Sequence, residues 1–232
     1  SVETLTTADG TNNVVLAANA DATGIVTING GTSDDTINIS SVDFDNTVTI
    51  TGGLAADVIS LGAQTATLVM TGALTIDDIS GFTTGTDTLH IDISAYNVTG
   101  SSVALEDLDF VDVKGASISA GDTVVLTTVG GATDFDNVTG NILNYTAATI
   151  ANAAALEVAL ETGGGILTMT TAGLSDNDAF FVMYDNSTEI VLAAVHVEAA
   201  YVNNAQLASV DAADIAVLGV TADLVAGDFA FI

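Results

Sequence analysis

Cysteine, proline and tryptophan are absent from this chain of 232 residues, and lysine plus arginine together contribute a single residue, Lys114. Without cysteine the chain has no disulfide staple and no thiolate nucleophile or thiolate metal ligand. Without proline nothing breaks a long hydrogen-bonded strand ladder. One cation cannot neutralise a row of phosphates, so nucleic acid and anionic lipid surfaces are excluded as partners. No apolar run reaches the roughly 18 residues of a membrane-spanning helix, so no transmembrane segment is expected. Ser1 is not followed by a basic stretch and an apolar core, so no signal-peptide pattern opens the chain. An export address elsewhere, or one already removed, is the expectation.

What remains is acidic and apolar at once. Asp and Glu number 30, the formal net charge is −29, and 49% of the residues are hydrophobic. That proportion is too high for a disordered acidic tail. Glu occurs only at positions 3, 106, 157, 161, 189 and 198, so most of the charge is aspartate. Aspartate suits turns and compact calcium sites. A chain that works outside the cell without cysteine needs another stabiliser, and a bound cation is one.

A repeat runs through the first ninety residues. Gly30-Gly31-Thr32-Ser33-Asp34-Asp35-Thr36-Ile37 aligns with Gly52-Gly53-Leu54-Ala55-Ala56-Asp57-Val58-Ile59 at an offset of 22. Gly72-Ala73-Leu74-Thr75-Ile76-Asp77-Asp78-Ile79 follows at an offset of 20. A degenerate copy precedes them, with Asn13 and Val15 read at the positions of Asp35 and Ile37. Val26-Thr27-Ile28, Val48-Thr49-Ile50 and Leu68-Val69-Met70 each stand before the next glycine turn, with Ile28, Ile50 and Met70 read as equivalent. Apolar residues alternate within these segments, as in strands with one buried face. A two-strand unit cannot bury that face alone, but stacked units can. The expected fold is therefore all-β. It is a parallel β-solenoid or β-roll of 20–22-residue coils over 1–95, with further strands over 96–148. A smaller β-rich region with one short helix follows over 149–232.

The glycine turns can bend sharply and expose carbonyls, and each is followed by a carboxylate. Calcium takes 6–8 oxygen ligands, more than one turn supplies, so two stacked turns would share an ion. The candidate ligand set is Gly30, Gly31, Ser33, Asp34, Asp35, Gly52, Gly53, Asp57, Asp77 and Asp78. Thr75 is β-branched where a glycine would turn most easily, so the turns at Asp35 and Asp57 are the better sites. A binding constant in the weak extracellular range, about 10⁻⁴ to 10⁻³ M, is expected. Asp43-Phe44-Asp45-Asn46 recurs as Asp134-Phe135-Asp136-Asn137, and reads as a turn with a packed phenylalanine.

These turns resemble the GG-x-G-x-D-x-U-x nonapeptide of RTX-type secreted proteins. They depart from it at the third glycine, which is Ser33, Ala55 and Thr75, and in their longer period. Ile79-Ser80-Gly81-Phe82-Thr83-Thr84-Gly85-Thr86-Asp87-Thr88-Leu89-His90-Ile91 is similar to the segment that closes such arrays. Further on, Thr149 caps an Ala-rich helix that Gly163–Gly165 stops. Strands are expected at 123–129, 142–145, 165–170, 179–184 and 189–198, with a turn at Asp185-Asn186-Ser187. This order resembles the C-terminal region of Caulobacter-type bacterial surface-layer proteins and large adhesins. The resemblance implies bound Ca2+ and a secreted, cell-surface location. It also implies type I export read from the C-terminus, here Asp228–Ile232.

No catalytic constellation is visible. His90 and His196 share no metal-ligand spacing, and Glu157 and Glu161 read as a solvent face one helical turn apart. The expectation is a structural surface protein and not an enzyme, with copies of itself as partner and cell-surface polysaccharide as a further candidate. The alternative is a calcium-binding secretion and folding module of a larger exoenzyme, toxin or adhesin. An ice-binding solenoid is disfavoured because no regular, flat threonine ladder shows in the sequence.

Overall fold

The computed structural model describes residues 3–17, 20, 24–41, 44, 46–71, 75–96, 109–112, 115–130, 133–134, 138–161, 167–168, 174, 178–199, 209–219 and 224–232. Over the first ninety residues the strands are β1 (Thr4–Thr6), β2 (Asn13–Val15), β3 (Thr27–Gly31), β4 (Thr36–Asn38), β5 (Val48–Gly53), β6 (Val58–Ser60), β7 (Ala66–Met70), β8 (Asp77–Ser80) and β9 (Thr88–Ile91). They alternate between two sheets: β1, β3, β5, β7 and β9 stack in one, and β2, β4, β6 and β8 in the other. Every neighbouring pair in these stacks is parallel. Alternation of apolar and polar residues sends Ile28, Ile50, Leu68 and Leu89 inward as one in-register column of the first sheet. Ile37, Ile59 and Ile79 form the facing column of the second. Nearly every side chain in these columns is fully buried, and each contributes about 1.5–3 kcal/mol of transfer free energy.

The observed register corrects two alignments. Ile50 pairs with Leu68, not Met70, which pairs with Ile91. In the first copy Val14 pairs with Ile37, so Asn12, not Asn13, stands where Asp35 stands one coil later. Val14 is buried and Val15 is 65% exposed, which fixes that phase.

Downstream come a single turn of helix, α1 (Ile93–Tyr96), then β10 (Asp109–Phe110), β11 (Leu126–Val129), β12 (Thr133–Asp134), β13 (Ile142–Tyr145), α2 (Ala153–Leu160), β14 (Leu167–Thr168), β15 (Asp178–Asp185), β16 (Ile190–Ala199), β17 (Ser209–Gly219) and β18 (Phe229–Phe231). Most of these strands extend the same sheets, while β12 and β14 pair with each other in a separate two-stranded sheet. β18 adds to β9 in parallel, and the second sheet runs β11-β13-β15-β16-β17-β8-β6-β4-β2. Among the described strands, only β15-β16-β17 pair antiparallel, as a meander. The sheets thus run through the 95/96 and 148/149 boundaries. A second apolar cluster forms where Leu156 and Leu160 of α2 pack with Phe180, Val182, Val195 and Val210. The cap of α2 is Asn152, whose side chain accepts the Ala155 amide at 3.0 Å, and not Thr149. Glu157 and Glu161 do not form a solvent face, because they accept the amides of Ala212 (3.0 Å) and Val210 (3.3 Å) on β17.

The outward residues of the first sheet also align. Thr4, Thr27, Thr49, Thr67 and Thr88 occupy successive rungs of one column. A regular threonine ladder therefore exists, hidden in the sequence because the coil lengths between rungs differ.

The motif glycines give the tightest packing. Gly53 has φ of +135°, a left-handed value that only glycine takes without strain. A methyl group at Gly52 would collide with the Asp57 carboxylate, whereas one at Gly227 would meet nothing within 4 Å. Gly52→Ala is expected to lower unfolding stability by about 2 kcal/mol or more through overpacking. Gly227→Ala should stay within about 0.5 kcal/mol. Urea melts of the two variants compare them directly.

Candidate functional site: a buried aspartate ladder

The residue five positions after the first motif glycine enters its strand pointing inward. Asp35 and Asp57 are 2% and 0% exposed, and Asp77 is 6% exposed. Parallel stacking places the three in line, one coil apart. The Asp35 amide donates to Asp57 Oδ1 at 2.8 Å, and the Asp57 amide donates to Asp77 Oδ1 at 2.9 Å. At the head of the line Asn12 donates to Asp35 Oδ1 through its amide at 2.7 Å and through Nδ2 at 2.9 Å. Each carboxylate thus ties its own coil to the one before it. An asparagine at the head supplies a donor and ends the row of charge.

The second oxygens are not so provided for. Asp35 Oδ2 and Asp57 Oδ2 are buried and have no hydrogen-bond partner. Both sit against the motif glycines: a Cβ built on Gly30 would lie 2.7 Å from Asp35 Oδ2, and Gly52 bears the same relation to Asp57. Burial therefore opposes ionisation. The Asp57 carboxyl is pushed up to about 6 by burial, against the lowering effect of the Asp35 amide, with the negative charges of Asp35 and Asp34 raising it further. Asp77 is pushed up to about 7 by burial, against the Asp57 amide and with the charge of Asp57 adding.

Two more buried aspartates hold the end of the stack. Asp87 accepts the amides of Ala66 and Thr83, both at 2.8 Å, and burial raises its pKa as well. Asp228, fully buried, accepts the Thr84 hydroxyl and the Gly85 amide, both at 2.6 Å, and the Val225 amide at 2.8 Å. It pins the short helical turn Ala226–Asp228, and with it β18, onto the Thr83–Asp87 loop. Asp214 joins β17 to β15 and α2, accepting the Tyr184 hydroxyl at 2.5 Å and the Ala153 amide at 3.3 Å.

The ten expected ligand residues divide accordingly. Asp35, Asp57 and Asp77 stand in a row inside the stack, while Asp34 and Asp78 are exposed on the outside. Ser33 is half-buried, and Gly30 and Gly52 provide clearance for the carboxylates. Gly31 and Gly53 carry the left-handed bends. Gly72 falls outside the described residues, as do Asp43, Asp45, Asp136 and Gly163–Gly165; Phe44 is buried. His90 and His196 lie on separate strands, and burial lowers the pKa of both. Among the described residues no three acidic or histidine side chains gather around one point. Sequence reading missed Asn12, which needed the register, and the structural use of Asp228, two of whose three partners lie about 140 residues away. No protein-family model, no curated protein and no solved structure matches the chain.

Carboxyls whose folded pKa is raised bind protons that the unfolded chain releases, so they favour folding at low pH and lose that contribution as pH rises through about 6 to 7. In chelator, the melting temperature is expected to fall between pH 5.5 and pH 8. Asp57→Asn keeps an acceptor for the Asp35 amide but cannot ionise, so its fall should be smaller. An equal fall in both proteins would contradict the assignment to Asp57.

Proposed function

We propose that the chain is a structural extracellular protein, a β-solenoid of the β-roll type whose folded coils are completed by a divalent cation, with Ca2+ the natural candidate. The observation that carries this is the pair of buried, unpartnered oxygens Asp35 Oδ2 and Asp57 Oδ2 on successive coils. A buried carboxylate oxygen without a donor is costly unless a proton or a cation meets it. The motif glycines lie directly against both oxygens, where a Cβ would collide, so no protein donor fills their second acceptor position. Asp35 and Asp57 would hold the ion, with glycine-turn carbonyls and water supplying the remaining oxygens of a hard-cation site. Bound to the native state alone, the ion adds stability through mass action. Asp34 and Asp78, exposed on the outside, are left for cations between molecules.

The charge extends this reading to assembly. At a net charge of −29, copies repel one another within about a Debye length, roughly 10 Å at 0.1 M salt. Divalent cations bridging their surfaces remove that barrier, which suits a surface layer, filament or matrix outside the cell, where calcium is plentiful. The resemblance to RTX-type surface-layer proteins supports the same conclusion.

Circular dichroism and light scattering with millimolar calcium, and again after excess EGTA, test both levels. Calcium is expected to raise the melting temperature and to produce large particles that chelation dissolves. A monomer that folds with calcium but never assembles would favour a folding module of a larger protein. Identical melting and scattering in calcium and in EGTA would end the proposal.

A further inference from the structure

We propose that the outer face of the first sheet binds an uncharged crystalline lattice of water, the surface of ice. Five rungs present threonine in one column: Thr4, Thr27, Thr49, Thr67 and Thr88. The neighbouring column, two residues along each strand, is Thr6, Asn29, Thr51, Val69 and His90. Parallel strands set the rungs about 4.8 Å apart, and the two-residue step sets the columns about 6.6 Å apart. The result is a two-dimensional array with a fixed repeat in both directions.

Three properties of the array point to a periodic, uncharged ligand. The first column is chemically free: none of its five hydroxyls makes a hydrogen bond within the described protein. The face also avoids charge. Asp and Glu number 30 in the chain, yet none occupies these ten positions. Burial lowers the pKa of His90, so the one titratable group on the face is neutral at pH 7. Finally, the array is stiff. Threonine has restricted χ1 freedom, and beneath the face Ile28, Ile50, Leu68 and Leu89 are packed in register and buried.

Each threonine offers a hydroxyl that can take a lattice position and a methyl that orders water around it. One such contact is weak, but a rigid array makes many of them at once, so their effect multiplies without any single strong bond. A solid water surface is the ligand that matches this repetition and demands no charge. A polysaccharide surface would be met by aromatic rings stacked on sugar faces, and the ten positions hold no Phe, Tyr or Trp. The face is separate from the inward aspartates, so this inference stands or falls independently of the cation.

The test uses the full chain in calcium-containing buffer and measures its partition into slowly grown polycrystalline ice, together with the shape of single ice crystals grown in its presence. The variant is Thr49→Tyr with Thr67→Tyr, which keeps strand-forming residues but breaks the surface. The control is Thr36→Tyr, on the outer side of β4 in the other sheet. Circular dichroism establishes that all are folded. The wild type and the control are expected to enrich in ice and facet the crystals, and the double variant to fall to the level of an inert acidic protein. Exclusion of the wild type from ice would overturn the proposal, as would equal retention of the double variant. Retention by microcrystalline cellulose or chitin, lost in the variant and without ice enrichment, would assign the face to polysaccharide instead. Self-association abolished by the variant, again without ice enrichment, would assign it to a second copy.

Discussion

The structure depends on one recurring interaction: a buried aspartate on one coil accepting the amide of the residue that stands in its place on the coil before. Asn12 to Asp35, Asp35 to Asp57 and Asp57 to Asp77 are three links of the same chain, at 2.7 to 2.9 Å. Parallel strands leave their turns stacked with amides that strand pairing does not satisfy, and a buried amide without an acceptor is costly. An inward carboxylate at the start of each strand meets that need from within the core. It also sets the phase, since a slip by one residue would turn every aspartate and isoleucine outward.

The solution creates its own difficulty. A carboxylate has more acceptor capacity than one amide fills, and here the surplus oxygens are sealed against glycine. The negative charge of Asp35 raises the pKa of Asp57, and that of Asp57 raises the pKa of Asp77. The stack therefore carries a demand for positive charge that its own side chains do not meet, and the single basic residue, Lys114, falls outside the described residues. Under the proposed function, protons and a divalent cation would compete to satisfy it, which would link pH, cation concentration and fold in one equilibrium. At the far end Asp228 is in the opposite condition. Its three donors are all present, and β18 is held as the last rung without recourse to an ion.

Much of this was legible from residue order. The GG-x-x-x-D spacing with alternating Ile, Val and Leu located the turns, the inward columns and the aspartates that enter the core. The meander strands β15 and β16, and the Asp185-Asn186-Ser187 turn between them, followed from apolar runs broken by turn formers. What stayed hidden depends on register. Asn12 differs from Asn13 only by which side of the strand it faces. The threonine column spans coils of 23, 22, 18 and 21 residues, so no constant period reveals it. The fusion of the C-terminal strands to the repeat sheets is a long-range pairing that no local pattern encodes. Asp34 and Asp35 are adjacent and chemically identical, and only strand alternation decides that one is solvated and the other buried.

The most direct test of the ladder is the titration of the Asp57 carboxyl itself, followed by carbon-13 NMR on aspartate-labelled protein with and without calcium. Without the ion, Asp57 should titrate near 6; with saturating calcium that transition should vanish from the range above pH 5. A carboxyl that titrates near 4 in both conditions, as an exposed aspartate does, would contradict the buried ladder and its claim on a cation.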